Sequence, residues 1–278
     1  MTPNPYRGTT IVFATMHGKD ALARSAFRTV LDATVITPAG IDTDQFGTFA
    51  GDIPRTLSPL DAARAKARLG VAATGVPTSL ASEGSFTTEL GWTTRQTEHL
   101  LFLDQDRGIE VTESHSTTFP VAPGRHITTT AQALSHATTI GFPEQGLIIH
   151  SRDGARIITH KNLRTRDDLT LAIDHLLSEN LAVSVMPDYR AHRSPARAAV
   201  IATLCARMAQ RLGTPCPGCR APGYGRVKVI PGLPCGLCGT PTHIPTADLH
   251  ACTTCDTTHT HPRTPTTADP QWCDTCNP

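Results

Sequence analysis

The chain has 278 residues, of which 39% are hydrophobic and 18% charged, enough apolar material for a folded core and too little charge for a disordered chain. Lys and Arg number 25 against 24 Asp and Glu, so the net charge of +1 supplies no basic field for nonspecific nucleic-acid binding. There is no apolar run of about 18 residues, and the N-terminus lacks the layout of a signal peptide. We therefore expect a cytoplasmic protein without a membrane span.

Hydrophobic patterning predicts strands that alternate with helices over the first 213 residues. Strands are predicted at residues 10–15, 33–37, 78–81, 99–103, 108–112, 146–150 and 181–186, and helices at residues 20–31, 58–68, 130–138, 167–178 and 194–212. Ser58 and Pro59 are the expected N-cap and first residue of the second helix. This alternation predicts an α/β fold, with a mixed sheet and flanking helices.

The placement of cysteines indicates a second, smaller domain. None of the nine cysteines lies before Cys205, and the other eight follow residue 214. A Gly-Thr-Pro step at residues 213–215 is typical of a helix end followed by a break. We predict an α/β domain over residues 1–213, a candidate nucleotide-binding unit, and a double zinc-ribbon-like domain over residues 214–278. Cys205 itself is expected to be a buried residue on the apolar side of the last long helix.

Eight cysteines form four Cys-x-x-Cys knuckles. They are Cys216/Cys219, Cys235/Cys238, Cys252/Cys255 and Cys273/Cys276. Two such knuckles complete a tetrahedral four-cysteine zinc site, so four knuckles predict two structural zinc ions. We expect the two inner knuckles to share one ion and the two outer knuckles to share the other. A crossed or a sequential arrangement stays open.

The zinc module has two possible roles. Its few large apolar side chains cannot build a core, so zinc would supply the folding energy. The segment has no net positive charge to attract phosphates, which favours contact with a protein partner over nucleic acid. Closed all-cysteine sites leave no open coordination position, so we do not expect a catalytic zinc.

The loop that joins the first strand to the first helix has the composition of a phosphate site. It contains His17, Gly18 and Lys19. A helix N-terminus presents unpaired N–H groups and the lysine adds a positive charge, and both suit a phosphate. An ordinary strand–helix turn with an exposed lysine is the alternative.

Acidic residues follow this loop along the chain. Asp44 lies in a polar segment at residues 42–52, Asp61 and Lys66 lie on the next helix, and Glu83 is expected at a strand end. Clustered carboxylates near a phosphate can hold magnesium, and Glu83 can act as a general base for water. Turn capping by Asp44 and a surface position for Glu83 are the alternatives.

Basic residues collect where the last long helix begins. Arg190, Arg193 and Arg197 surround His192 within eight residues of sequence. Guanidinium groups suit a carboxylate, a phosphate or the edge of a nucleobase. A solvated helix start is the alternative.

Short segments in a fixed order give the N-terminal part a family resemblance. They read ATMHGK at residues 14–19, GTF at 47–49, DAARAKA at 61–67, SEG at 82–84 and AHRSPA at 191–196. In this order they resemble the motifs of the inosine triphosphatase/Maf-like house-cleaning nucleoside triphosphate pyrophosphatases. An extra loop at residues 50–57 and the single acidic residue of the SEG segment depart from the pattern of that group.

The whole chain, with its tail, also resembles a bacterial family of unknown function. The matching features are a Thr-x-His-x-Lys loop at residues 15–19, ASEGSF at 81–86, RAH at 190–192 and CDTCNP at 273–278. This resemblance implies no activity.

Two functional hypotheses follow. The first is a magnesium-dependent hydrolase of a nucleotide phosphoanhydride with a structural zinc module. The resemblance implies phosphate contacts from His17, Gly18, Lys19 and Lys66, metal and water contacts from Glu83, Asp61 and Asp44, and base or sugar contacts from Arg190, His192 and Arg193. The second is a non-enzymatic zinc protein with a degenerate ligand pocket and a zinc ribbon that docks a protein.

Overall fold

The computed structural model describes residues 4–48, 53–89, 93–120, 124–154 and 156–278. Part of the acidic segment singled out above, residues 49–52, lies outside the described residues. Among the described helices, none combines the length and the apolar character that crossing a bilayer requires.

The N-terminal half is built on a five-stranded mixed sheet in the order β2-β1-β3-β4-β5. Its strands are β1 (Thr10–Phe13), β2 (Thr34–Ile36), β3 (Thr78–Glu89), β4 (Thr93–Asp104) and β5 (Ile109–Pro120). Strand β1 pairs in parallel with β2 and β3, whereas β3, β4 and β5 pair antiparallel. The predicted α/β class with a mixed sheet is confirmed.

Three helices cover the two faces of this sheet. Helices α1 (Asp20–Leu31) and α5 (Pro195–Gly213) pack together on one face, and α2 (Pro59–Thr74) packs on the other. Successive strand residues point to opposite faces, so Leu80 joins the core under α1 and α5 while Ala81 joins the core under α2. The connection from β1 to β2 and the connection from β2 to β3 therefore run on opposite faces of the sheet.

Helix ends were predicted more accurately than strand ends. Helix α1 has the predicted bounds, and the Ser58 hydroxyl accepts a hydrogen bond from the Asp61 N–H at the start of α2, as expected of an N-cap. Strands β3, β4 and β5 are each 12 residues long, far beyond their predicted ends. Their extensions carry Ser, Thr and charged residues, which pair through the backbone but give no hydrophobic signal. Glu83 consequently lies inside β3, and the expected position at a strand end is wrong.

A second, antiparallel sheet follows in the order β6-β9-β7-β8. Its strands are β6 (Arg125–Ile127), β7 (Leu147–Asp153), β8 (Arg156–His160) and β9 (Ala182–Pro187), and its helices are α3 (Thr130–Ile140) and α4 (Arg166–Ser178). The apolar side chains of both helices pack against one face of the sheet. Strands β6 and β8 were not predicted, because β6 has only three residues and both strands are partly polar.

The cysteine-rich segment forms a three-stranded antiparallel sheet in the order β10-β11-β12. Its strands are β10 (Gly225–Pro231), β11 (Pro245–Ala251) and β12 (Thr258–Pro262). Helix α5 ends directly before this segment. The buried Arg211 in its last turn donates hydrogen bonds to the carbonyls of Gly223 and Arg226 and to the Glu113 carboxylate.

Candidate functional site

The eight knuckle cysteines gather into two groups of four. The first group is Cys216, Cys219, Cys252 and Cys255, and the second is Cys235, Cys238, Cys273 and Cys276. In each group, all four sulfur atoms lie within 4.8 Å of one another. Among the described residues, these are the sets of three or more potential metal ligands that come this close.

The sulfur separations fit zinc. Sγ–Sγ distances are 3.8 Å for Cys216–Cys255 and 3.6 Å for Cys219–Cys252 in the first group. In the second group they are 3.9 Å for Cys235–Cys276 and 3.6 Å for Cys238–Cys273. A zinc tetrahedron with Zn–S bonds of about 2.3 Å has sulfur–sulfur edges of about 3.8 Å. Disulfides would require about 2.05 Å, so each group can hold one zinc ion.

Backbone N–H groups point at the sulfurs, as zinc knuckles require. Gly218, Leu237 and Thr254 donate from their N–H groups to the sulfurs of the cysteines two residues earlier, at 3.3, 3.4 and 3.3 Å. These donors favour the thiolate that binds a metal.

The expected nested pairing of knuckles is wrong, and the crossed alternative is what the structure has. Strand β10 follows the first knuckle and β11 precedes the third, and their antiparallel register sets Gly225 opposite Ala251. This register brings the first and third knuckles to one end of the sheet. The second knuckle follows β10 at the other end, where the N–H of Gly236 donates to the carbonyl of Ala268 close to the fourth knuckle.

A charged cleft lies in the N-terminal half where β1 ends beside the middle of β3. Ligands of open α/β sheets bind beyond the carboxyl ends of strands where successive connections switch faces, and the β1–β2 and β2–β3 connections do so here. The cleft is lined by His17, Lys19, Asp44, Gly47, Thr48, Arg55, Lys66, Glu83, Lys161, Arg190, Ala191 and Arg197. Six of these side chains are lysines or arginines and two are carboxylates. A second, wider groove beside the first zinc knuckle has no comparable cluster of charge.

Glu83 is the central carboxylate of the cleft. It is 5% exposed, and its oxygens lie 2.5 Å from Lys66 Nζ and 3.2 Å from an Arg55 guanidinium nitrogen. Burial alone would raise the pKa of Glu83, but the charges of Lys66, Lys19 and Arg55 hold it below its ordinary value. Glu83 is therefore ionised at neutral pH and compensates two of the surrounding cations.

Lys19 lies at the N-cap of α1 with its amine buried. Its Nζ donates to the hydroxyl of Ser82 at 3.0 Å and to the carbonyl of Ser82 at 3.3 Å. Burial, followed by the nearby positive charge of Arg197, lowers the pKa of this amine to about 8. Lys19 is thus held by neutral oxygens, whereas Lys66 is held by a carboxylate.

Two further carboxylates position arginines at the cleft. The Arg197 guanidinium donates to both oxygens of the fully buried Glu98, at 2.8 and 3.1 Å. The Arg190 guanidinium donates to the buried Asp188 at 2.6 and 3.0 Å. Paired in this way, both arginines keep fixed orientations.

A histidine pair lies beside these arginines. The ring of His192 stacks on that of His17 with 5.0 Å between centroids, and His17 Nε2 lies 3.4 Å from an Asp44 oxygen. Burial lowers the pKa of His17, and burial with the charges of His17 and Arg190 lowers that of His192 to about 4. Both rings are neutral at physiological pH.

The structure brings together only part of the residue set predicted from sequence. His17, Lys19, Asp44, Lys66, Glu83 and Arg190 line the cleft, His192 stacks on His17, and Gly18 lies in the same loop with φ +65°. Asp61 is exposed and binds Ser58 and Arg64, outside the cleft lining. Arg193 donates to the Leu163 carbonyl and packs against Gly146. Both contacts connect the start of α5 with the part of the chain that carries the second sheet.

The predictions did not include Arg55, Lys161 and Glu98. Arg55 lies in the extra loop that departs from the family resemblance, and Lys161 follows β8, which was not predicted. Glu98 is one of several polar residues in the extension of β4, and its burial depends on Arg197 from a distant helix. No local pattern in the sequence marks any of the three.

The expected magnesium ion gains no support from the carboxylates of the cleft. Among the described residues, Asp44, Asp61 and Glu83 do not come within 4.8 Å of one another as a group, and Glu83 is already bound to Lys66 and Arg55. Because magnesium is usually held by only one or two carboxylates together with water and substrate phosphates, the ion stays a prediction.

Comparison with known proteins places the chain in a family without assigning an activity. No curated protein matches it, so the resemblance to inosine triphosphatase/Maf-like pyrophosphatases gains no support. Residues 66–278 match the sequence model of a family described as a domain of unknown function, DUF6671. The match includes Lys66, Glu83, Arg190 and all eight knuckle cysteines. Because it covers well over half of the sequence, the chain belongs to the DUF6671 family.

Proposed function

We propose that the cleft binds a small molecule that carries a phosphate group. The observation that carries this proposal is the convergence of six lysine and arginine side chains with only two carboxylates in the cleft lining. Even with Glu98 and Asp188 counted, positive charge is in excess. Buried positive charge without a counterion is costly, so an anion would stabilise the site.

Two features favour phosphate over other anions. Helix α1 begins at the cleft, and the positive end of its dipole favours an anionic group such as phosphate there. The open volume is about 50 Å³, room for roughly four water molecules, which matches one phosphate group better than a triphosphate chain. A monophosphate, or the terminal phosphate of a longer ligand, is the expected occupant.

The experiment is a calorimetric titration of the zinc-loaded protein with inorganic phosphate, adenosine monophosphate and adenosine triphosphate. We expect saturable binding that weakens as salt is added, because the attraction is between charges. Lys19→Met removes a cation without leaving a carboxylate unpaired, and it should weaken binding at least about tenfold, or about 1.4 kcal/mol. Lys228→Met, at an exposed position on β10, is the matched control. Equal affinity in all three proteins, or no binding, would refute the proposal.

Hydrolysis of the bound phosphate compound is the finer form of this proposal. Glu83 supports it, because a buried, ionised carboxylate beside an anion site can orient water. Lys66 and Arg55 would stabilise the negative charge that develops on the phosphate oxygens in the transition state. Bound phosphate would compete with Glu83 for these two cations and free the carboxylate for water.

The test of hydrolysis is phosphate and pyrophosphate release from a nucleotide panel, with and without magnesium. The panel includes inosine and xanthosine triphosphates and the monophosphates. Loss of release in folded Glu83→Gln that still binds phosphate would assign the reaction to Glu83. If the wild type releases neither phosphate nor pyrophosphate from any compound of the panel, hydrolysis is rejected. The proposal that the cleft binds phosphate does not depend on that result.

Protein docking through the zinc module is the alternative function. Apolar side chains are exposed there, with Leu237 at 74%, Trp272 at 51% and Val227 at 50%. Exposed apolar groups of this kind mark interaction surfaces. A folded protein with two zinc ions and no affinity for any phosphate compound would favour this alternative.

A further inference from the structure

The Lys19 amine differs from the other lysine amine at the floor of the cleft. Lys66 is ion-paired with Glu83, whereas Lys19 makes no ion pair among the described residues and donates to two neutral oxygens of Ser82. A protonated lysine has three N–H donors, and a neutral one has two donors and a lone pair. The buried Lys19 amine therefore has no carboxylate partner among its hydrogen bonds that would hold it as an ammonium.

The groups around Lys19 bring the loss of its proton closer to neutral pH than for an exposed lysine. Burial lowers the pKa of the amine first, and the cations Arg197 of α5 and Lys66 of α2 lower it further. Glu98 of β4 and Glu83 of β3 act in the opposite direction without reversing the shift. A desolvated lysine next to another cation is the environment that makes an amine nucleophilic near neutral pH.

We infer that Lys19 forms an imine with the carbonyl carbon of a phosphate-bearing aldehyde or ketone. The inference rests on the proposed function, because the phosphate would hold the carbonyl compound in the cleft. The Lys19 lone pair attacks the carbonyl carbon, a C–N bond forms, and the carbonyl oxygen takes up a proton. Loss of the nitrogen proton and of this hydroxyl as one water molecule gives the C=N bond, with no oxidant or reductant consumed. The charges of Glu83 and Glu98 would stabilise the protonated imine.

The experiment traps the imine chemically on the folded, zinc-loaded protein. Glycolaldehyde phosphate is added with sodium cyanoborohydride, which reduces an imine to a stable secondary amine, and the labelled residue is located by peptide mass mapping. The only lysines in the chain are Lys19, Lys66, Lys161 and Lys228, and peptide mapping also separates them from the α-amino group, which reacts at a similar pH. At pH about 7.5 we expect Lys19 to be labelled at least about tenfold faster than Lys228, because more of its amine is neutral.

Several controls separate the imine from nonspecific labelling. Glycolaldehyde without phosphate should label Lys19 at least about tenfold more slowly, and excess inorganic phosphate should suppress labelling by the phosphorylated probe. Lys19→Met should lose the label at this position, while Lys228→Met should keep labelling of Lys19 unchanged. The labelling rate of Lys19 should level off above pH about 8, whereas an exposed lysine continues to rise towards roughly pH 10.4.

The outcomes separate this inference from the proposed function. Labelling of Lys228 or Lys161 with Lys19 untouched, in a protein that binds inorganic phosphate, overturns the imine and leaves phosphate binding in place. Equal labelling of Lys19 by both aldehydes overturns the phosphate-bearing class of substrate. A protein that binds no phosphate and is not labelled at Lys19 overturns both.

Discussion

At the scale of single residues, Glu83 compensates the charges of two buried or half-buried cations of the cleft. Its carboxylate lies between Lys66 and Arg55 and is almost completely buried. Removing one partner of a buried ion pair leaves the other charge uncompensated, which costs far more than losing an exposed pair. The stability of the N-terminal half should therefore depend on this cluster.

We predict that Lys66→Met lowers the free energy of unfolding by about 3 kcal/mol, because Glu83 loses its closest partner. Urea denaturation measures the change. The exposed substitution Lys228→Met should alter stability by no more than about 0.5 kcal/mol. Similar effects of both substitutions would show that the cluster does not stabilise the fold.

The pH dependence of stability follows from the lowered pKa of Glu83. In the unfolded chain a glutamate has a pKa of roughly 4.3, so the stabilisation is complete above that pH and is lost as the pH falls through the lower folded value. We predict that the wild type loses more stability between about pH 6 and pH 3 than Glu83→Gln does. Parallel curves for the two proteins would contradict the shift.

At the scale of elements, strand register determines which knuckles share a metal. Strand β11 separates the second knuckle from the third by its whole length, so they lie at opposite ends of the sheet. The crossed arrangement therefore follows from the hairpins, and cysteine spacing alone does not predict it.

Double substitutions distinguish the crossed from the nested arrangement. Cys216→Ser with Cys252→Ser alters one crossed site, so we predict that one zinc ion per chain remains. Cys216→Ser with Cys273→Ser alters both crossed sites and should lose both ions. Zinc content by mass spectrometry of the purified proteins gives the answer, and the reverse result would establish the nested arrangement.

At the scale of the whole molecule, α5 connects the cleft to the zinc module. Arg197 near its first turn supports the cleft, and Arg211 in its last turn binds Gly223 and Arg226 of the zinc module. Arg211 also binds Glu113 of β5, so the two parts share a buried polar junction. Loss of zinc should therefore weaken the α/β part.

We predict that a zinc chelator lowers the melting temperature of the helical circular dichroism signal, because the described α-helices all precede the zinc module. Arg211→Met breaks the junction and should make this shift smaller. A melting temperature that the chelator leaves unchanged in the wild type would mean that the two parts are stable independently.

Sequence reasoning succeeded where the signal was local. The knuckle cysteines and the Ser58 cap are short patterns with a direct physical meaning. It failed where a contact joins distant segments, as for Glu98 with Arg197 and for the pairing of knuckles. Those contacts depend on strand register and helix packing, which hydrophobic periodicity does not encode.

The most direct test of the phosphate site is a crystal structure of the zinc-loaded protein with adenosine monophosphate. We predict that its phosphate occupies the cleft where β1 ends beside the middle of β3, within hydrogen-bond distance of Lys19, Lys66 or Arg190. Such a position would identify the cleft as the binding site. A nucleotide bound only elsewhere, for example in the groove beside Arg107 and Arg220, would contradict the account.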